Sequence, residues 1–150
     1  MRMSPPERVL QQFLSSLKTH LEQKGLNSDF KLIKRHLRLY RFDDHPKPYF
    51  VFIHESLCGF WEISANWEGI SHLIPSEARN WAVILLQKPS GENHPLGFLM
   101  PSNDFIKMKS GFGINRMGRI RIHEKDLSSK NRFDNWKRFF RLLNLASATL

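Results

Sequence analysis

Four acidic side chains could supply the carboxylates of a metal-dependent hydrolase: Asp43, Asp44, Glu55 and Glu62. Each lies within or at the end of a segment rich in β-branched and aromatic residues, which favours a strand. Two carboxylates at a strand edge, with a lysine nearby to orient water, can hold Mg²⁺ for cleavage of a phosphodiester. Asp44, Glu55 and Glu62 are therefore candidate catalytic residues, with Mg²⁺ as the cofactor of that reaction. The alternative roles are turn formation for the aspartates and solvent-facing strand positions for the glutamates.

Other common catalytic and cofactor-binding patterns are absent from the sequence. The seven histidines include no pair at the spacing of neighbouring metal ligands on a helix or strand. Nucleophile elbows, phosphate-binding Walker loops and the glycine-rich dinucleotide fingerprint do not occur either. Apart from Mg²⁺ in a nuclease, we therefore expect no cofactor and no resident metal.

The single cysteine, Cys58, excludes an internal disulfide and a cysteine-based zinc site. The first residues lack the apolar run of a signal peptide, and the longest apolar segment, Trp81–Leu86, is too short to cross a bilayer. We therefore expect a cytoplasmic protein with no membrane partner, in which Cys58 is a small buried apolar residue.

The positive charge is concentrated in the C-terminal third of the chain. Residues 107–150 hold 11 Lys/Arg against 3 Asp/Glu, a net charge of +8, whereas residues 1–106 hold 12 against 11, a net charge of +1. This asymmetry indicates a negatively charged partner, either nucleic acid or an acidic protein surface, although a basic face that only confers solubility is a third interpretation. The candidate nucleic-acid-binding residues are Lys107, Lys109, Arg116, Arg119, Arg121, Lys125, Arg138 and Arg141, with Lys34 and Arg38 from a smaller basic cluster between residues 31 and 41.

The segment Arg119–His123 has the most specific pattern for binding. It alternates strictly, so a strand would place both isoleucines on one face and both arginines on the other. Side chains two apart on a strand are about 7 Å from each other, which is close to the phosphate repeat of a nucleic-acid strand. Arginine forms bidentate bonds to phosphate, which favours this role for Arg119 and Arg121. Two aromatic residues, Trp67 and Phe112, could stack on unpaired bases.

Helices are predicted at both ends of the chain. A capping serine and a proline at the first helical position, followed by an apolar stripe, predict a helix over residues 5–24. Gly25 can take the left-handed conformation that ends it. A second apolar stripe, which passes through Trp136, predicts a C-terminal helix over residues 131–145.

The strand-like segments lie between these helices, within residues 30–123. They are Phe30–Phe42, Tyr49–His54, Gly59–Ser64, Trp81–Leu86, Leu96–Met100 and Arg119–His123. The uniformly apolar Trp81–Leu86 is typical of a central strand that is covered on both faces. Ser76 and Ser102 could each cap a short helix. We therefore predict an α+β fold: a single domain, residues 1–150, with a mixed central β-sheet of five to six strands packed by N- and C-terminal α-helices.

The order of these elements resembles the small restriction-endonuclease-like, or PD-(D/E)XK, proteins of defence systems and mobile elements. The first shared features are an N-terminal helix, a strand that ends in acids at Asp43-Asp44, and the hairpin-like Tyr49–Ser56 and Phe60–Ser64. The buried strand Trp81–Leu86 and the Leu99-Met-Pro-Ser102 step follow. The last shared features are a strand from Gly118 to Leu127 and a final helix that bears a tryptophan. This resemblance implies a nuclease fold and a nucleic-acid ligand. In that family the second strand carries an acid, any residue and a lysine. The candidate positions here read Ile53-His54-Glu55 and Glu62-Ile63-Ser64.

Because neither position supplies the lysine, the resemblance implies a nuclease fold that has lost its catalytic centre. A lysine elsewhere, Lys34 or Lys47, would be needed to restore activity. The leading hypothesis is a non-catalytic nucleic-acid-binding protein that contacts the phosphate backbone through its basic C-terminal face, as a subunit of a defence or mobile-element complex. Two alternatives remain: a metal-dependent nuclease, and a basic protein-interaction module for an acidic partner.

Overall fold

The computed structural model describes residues 5–25, 30–34, 39–42, 49–55, 60–64, 80–88, 95–109, 111, 113–114 and 118–148. Within these residues the helices are α1 (Pro5–Gln23), α2 (Ser102–Lys109) and α3 (Trp136–Ala148). The strands are β1 (Lys31–Lys34), β2 (Leu39–Phe42), β3 (Tyr49–Glu55), β4 (Phe60–Ser64), β5 (Trp81–Leu86), β6 (Gly97–Pro101), β7 (Gly113–Ile114), β8 (Arg119–His123) and β9 (Arg132–Phe133). The predicted α+β class, with a helix at each end of the chain, is confirmed.

The larger sheet has six strands in the order β1-β2-β3-β5-β6-β9. Neighbouring strands are antiparallel except for β3 and β5, which are parallel, so the sheet is mixed as predicted. All six residues of β5 are buried, which confirms that Trp81–Leu86 is a central strand. Its sequence shows no alternation because packing covers both of its faces.

Alternate residues of the six-stranded sheet belong to two separate hydrophobic cores. One face packs against α1 and α3 through side chains that include Val51, Ile84 and Leu99. The opposite face, which includes Val83 and Met100, packs against α2 and a second sheet. The described elements therefore form three layers, with the six-stranded sheet in the middle.

The second sheet has three antiparallel strands in the order β4-β8-β7. Trp61 and Ile63 of β4, together with Ile120 and Ile122 of β8, are buried in the core between the two sheets. Because side chains alternate along a strand, the intervening residues of β4 and β8 point away from this core. The sequence predicted both strands, but the hairpin-like arrangement of Tyr49–Ser56 and Phe60–Ser64 is wrong, since β4 pairs with β8 while β3 pairs with β2 and β5.

Trp61 fastens the second sheet to the six-stranded sheet. Its side chain is 1% exposed, and its indole Nε1–H donates to the carbonyl oxygen of Leu86 at 2.9 Å. Its ring also meets Phe98 of β6 edge-on, with ring centroids 6.1 Å apart. A buried indole N–H that lacks an acceptor carries a desolvation cost, so this hydrogen bond favours the position of the second sheet at the end of β5.

The first two helices lie close to their predicted positions. Helix α1 begins at Pro5 and ends at Gln23, and Gly25 has the expected left-handed φ of 70°. Helix α2 begins at Ser102, whereas the short helix predicted after Ser76 lies outside the described residues. None of the helices within the described ranges is long and apolar enough to span a bilayer.

Helix α3 begins at Trp136, later than the predicted start near residue 131. The preceding backbone is used differently: residues 129–131 form a 3₁₀ turn, and β9 pairs with β6 at the edge of the sheet. Asn135 then caps the helix, because its Oδ1 accepts the backbone N–H of Arg138 at 2.7 Å. The helix was predicted to start too early because Phe133 was assigned to its apolar stripe, whereas Phe133 belongs to β9.

Candidate nucleic-acid interface

The outer face of the three-stranded sheet carries the two arginines that were predicted to bind phosphate. Burial along β8 alternates as expected, since Arg119 and Arg121 are exposed while Ile120 and Ile122 are buried. The exposed fractions of the two arginine side chains are 51% and 45%. Both guanidinium groups can therefore meet a ligand from solvent, while the isoleucines anchor the strand in the core beneath.

Glu62 lies between these two arginines. It is directly opposite Arg121 in the pairing of β4 with β8, and Arg121 Nη2 donates to Glu62 Oε1 at 2.8 Å. Arg119 Nη1 lies 3.5 Å from the other carboxylate oxygen, Oε2. The hydrogen bond from Arg121, together with the positive charges of both arginines, holds the pKa of Glu62 below its usual value. Glu62 is therefore ionised at neutral pH, and among the described side chains its carboxylate meets two guanidinium cations.

Phe60 and His123 border the same cluster. They are paired across β4 and β8, and their ring centroids are 5.9 Å apart. The guanidinium carbon of Arg121 lies 4.3 Å from the centroid of the Phe60 ring, which is a cation–π contact. Arg121 is thus held by the Glu62 carboxylate and by the Phe60 ring. We call the five outward residues Phe60, Glu62, Arg119, Arg121 and His123 the arginine face.

The other predicted basic residues are distributed over several surfaces. Lys107 is exposed on α2, and Lys125 is exposed in the 3₁₀ turn that follows β8. Arg141 is exposed on α3, in the layer on the opposite side of the six-stranded sheet from the arginine face. Lys34 and Lys109 belong to β1 and α2, but their side chains lie outside the described part of the structure, as do Arg38 and Arg116 altogether.

Arg138, which was predicted to bind nucleic acid, forms hydrogen bonds to backbone carbonyl groups of the protein itself. Its Nη2 donates to the carbonyl oxygen of Lys130 at 2.7 Å, and its Nε donates to that of Arg132 at 3.3 Å. These bonds tie the first turn of α3 to the 3₁₀ turn and strand before it. The basic C-terminal residues that the structure describes therefore lie on several elements, and Arg138 ties α3 to the edge of the six-stranded sheet.

The candidate catalytic acids lie on different elements. Glu62 belongs to the arginine face, Glu55 ends β3 in the six-stranded sheet, and Asp44 lies outside the described residues. Among the residues that the structure describes, no three or more His, Cys, Asp or Glu side chains are grouped so that they could hold a metal ion. The two-carboxylate magnesium site stays a prediction.

Sequence reasoning missed Phe60 as a member of the site. Strand alternation alone places Phe60 on the same face as Glu62, so the signal was present in the sequence. The pairing of β4 with β8 was not, because residues 65–118 separate the two strands and no turn connects them. The aromatic residues singled out instead, Trp67 and Phe112, lie outside the described residues.

The arginine face combines two kinds of binding group. The arginines supply positive charge and a bidentate geometry for phosphate, and the rings supply planes on which a flat ligand can stack. This combination suits an anionic ligand that also has flat groups. No protein-family model, curated protein or solved structure matches the chain.

Proposed function

We propose that this protein binds nucleic acid through the arginine face and does not cut it. The observation that carries the proposal is the exposure of Arg119 and Arg121 at neighbouring outward positions of one strand, above a buried core. Outward positions on a strand repeat about every 7 Å, a spacing comparable to that of successive phosphates. A ligand with regularly repeated phosphates can therefore contact both guanidinium groups at once.

The charge of the whole chain supports a polyanionic ligand. The net charge is +9, of which +8 comes from residues 107–150. Lys107 and Lys125 are exposed in the same part of the sequence. Lysines and arginines that neutralise phosphates release condensed counterions, which supplies a large part of the affinity of proteins for nucleic acids.

Two features favour binding without cleavage. Both carboxylate oxygens of Glu62 face guanidinium groups, at 2.8 and 3.5 Å, so a metal ion at this carboxylate would compete with two cations. The sequence also lacks the lysine that a PD-(D/E)XK catalytic strand carries after Glu55 or Glu62. We therefore propose a nuclease-like fold without its catalytic centre, in a cytoplasmic defence or mobile-element complex. This part of the proposal rests on the resemblance in the order of elements.

The test is a fluorescence-polarisation titration of labelled DNA and RNA oligonucleotides at several salt concentrations with Mg²⁺ present. Afterwards the recovered oligonucleotides are analysed on a denaturing gel. The double variant Arg119→Ala with Arg121→Ala should weaken binding to every sequence about equally, since phosphate contacts carry no sequence information. Its plot of log affinity against log salt should lose about 1.4 units of slope for a single strand and about 1.8 for a duplex, the equivalent of two phosphate contacts.

The matched control is Lys137→Ala with Arg141→Ala, which also removes two positive charges, in this case from exposed positions of α3. We expect this variant to keep the wild-type slope, because its charges lie in the opposite layer. A loss of slope in the helix variant alone would move the interface to α3. Shortened oligonucleotides in the presence of Mg²⁺, together with full-length oligonucleotides in a parallel reaction with EDTA, would identify a metal-dependent nuclease. No binding of any oligonucleotide at low salt would refute a nucleic-acid ligand and leave an acidic protein partner to be sought.

A further inference from the structure

We propose that the arginine face is a site for single-stranded nucleic acid, with bases stacked beside Phe60 and Arg121 and phosphates held by the arginines. This inference rests on the proposed function and adds the class of ligand to it. Phosphate contacts alone would not distinguish a single strand from a duplex. The other groups on the face, two rings and a carboxylate, make that distinction.

The first argument concerns stacking. The Phe60 ring is only partly buried, and one side of it is covered by the Arg121 guanidinium at 4.3 Å. Bases of single strands stack on aromatic rings and on guanidinium planes, and arginine can extend an aromatic platform in this way. Because Glu62 and Phe60 both hold Arg121, its guanidinium plane is oriented before a ligand arrives. Bases that are already stacked and paired in a duplex cannot use such a platform.

The second argument concerns the carboxylate at the centre of the face. An ionised glutamate only accepts hydrogen bonds, and it repels a phosphate that approaches directly. The amino and imino N–H groups of unpaired bases are the donors in a nucleic acid that such a carboxylate can accept. These groups are exposed in a single strand and engaged in base pairs in a duplex. Both oxygens of Glu62 already accept from the arginines, but a carboxylate has about four acceptor sites, so a ligand that turns base edges as well as phosphates towards the protein is favoured over one that offers phosphates alone.

The third argument concerns the width of the surface. Strands lie about 4.8 Å apart, so the outer two strand axes of a three-stranded sheet are about 10 Å apart, and the side chains at its edges add to that width. The major groove of B-form DNA is about 12 Å wide and admits a helix or a two-stranded ribbon. The sheet β4-β8-β7 would therefore meet a duplex only along its phosphates, and the central glutamate would oppose that contact. A single strand can lie across the sheet and adapt to it.

The experiment compares four labelled probes of the same mixed sequence at one salt concentration: single-stranded DNA, single-stranded RNA, duplex DNA, and single-stranded DNA with abasic sites at alternate positions. The proteins are the wild type, Phe60→Ala, Phe60→Leu and the two double variants described above. These double variants are Arg119→Ala with Arg121→Ala, and Lys137→Ala with Arg141→Ala. For the wild type we expect the intact single strands to bind at least about 5-fold more tightly than the duplex and the abasic strand, since stacking of one base is worth about this much or more.

Both Phe60 variants should lose about the same factor on the intact single strands and little on the abasic strand, with an unchanged salt slope. Phe60→Leu keeps an apolar side chain on β4, so its loss of affinity, measured on protein with a wild-type circular dichroism spectrum, reports stacking and not unfolding. Tight binding of either single-stranded RNA or single-stranded DNA supports the proposal. The ratio of the two affinities shows whether ribose or deoxyribose is preferred. Equal binding of duplex and single strand, or of abasic and intact strand, overturns the single-strand inference but leaves phosphate binding intact. Absence of binding to all four probes would refute the proposed function itself.

Discussion

Trp61 holds the second sheet to the six-stranded sheet and Trp136 packs α3 against α1, yet the same substitution should affect them very differently. In Trp61→Phe the ring can remain in the core, but the hydrogen bond from Nε1–H to the Leu86 carbonyl oxygen is lost. The loss of that bond at a buried site, with its acceptor left behind, costs about 1–3 kcal/mol. Removal of part of a fully buried ring system adds roughly 1 kcal/mol. We therefore expect Trp61→Phe to lower the free energy of unfolding by about 2–4 kcal/mol.

Trp136→Phe is the matched control. The Nε1–H of Trp136 is buried and has no hydrogen-bond partner among the residues that the structure describes. Its ring stacks against Phe13 at 5.4 Å and His20 at 4.6 Å, contacts that a phenyl ring can largely retain. Removal of a buried donor without an acceptor relieves a desolvation penalty, which offsets the loss of ring volume. The expected change is within about 1 kcal/mol of zero.

Urea denaturation followed by far-ultraviolet circular dichroism measures both variants, because tryptophan fluorescence is itself altered by the substitutions. The difference in midpoint, multiplied by a shared m value, gives each change in the free energy of unfolding. Trp61→Phe should be less stable than Trp136→Phe by at least about 1 kcal/mol. An equal or larger loss for Trp136→Phe would refute the conclusion that the Trp61 hydrogen bond fastens the second sheet.

Four further substitutions have expected outcomes. Gly97→Ala should destabilise the protein by about 3 kcal/mol or more in urea denaturation, since a Cβ would clash with the backbone carbonyl of Leu85 between two central strands. Gly111→Ala, whose Cβ would meet only an ordinary contact at 3.4 Å, should change stability by less than about 0.5 kcal/mol. Burial raises the pKa of the Tyr49 phenol, so stability that is fully present below pH about 10 should be lost as the pH rises through the folded pKa. The free energy of unfolding of the wild type should therefore fall with pH by up to about 1.4 kcal/mol per pH unit more than that of Tyr49→Phe. Unfolding midpoints of both proteins at about pH 9 and pH 11 measure this difference. Asn135→Ala should cost about 1 kcal/mol by losing the N-cap of α3, which thermal unfolding would detect.

The sequence was most informative where one local rule decides the structure. Strict alternation in Arg119–His123 predicted which side chains face outwards, and the unbroken apolar run Trp81–Leu86 predicted a strand covered on both faces. Pairing between distant segments was not predictable in this way, because loop length and alternation do not specify a partner. The arginine face depends on such a pairing, so Arg119 and Arg121 were identified while Phe60 was not. The start of α3 was predicted too early for a related reason, because the residues before it pair with the distant strand β6 and form β9.

Glu62 is the residue at which the binding and catalytic interpretations diverge. Magnesium prefers carboxylate oxygens that can donate their lone pairs to it, whereas both oxygens of Glu62 face guanidinium groups. A metal ion there would lie close to two positive charges, which disfavours it at the position where a nuclease would need it. The same contacts orient Arg121 against Phe60, so that its guanidinium is held in a defined plane. Chelation of divalent metal should therefore leave oligonucleotide affinity unchanged, whereas Glu62→Gln should alter it, because this substitution changes the charge that holds the arginines.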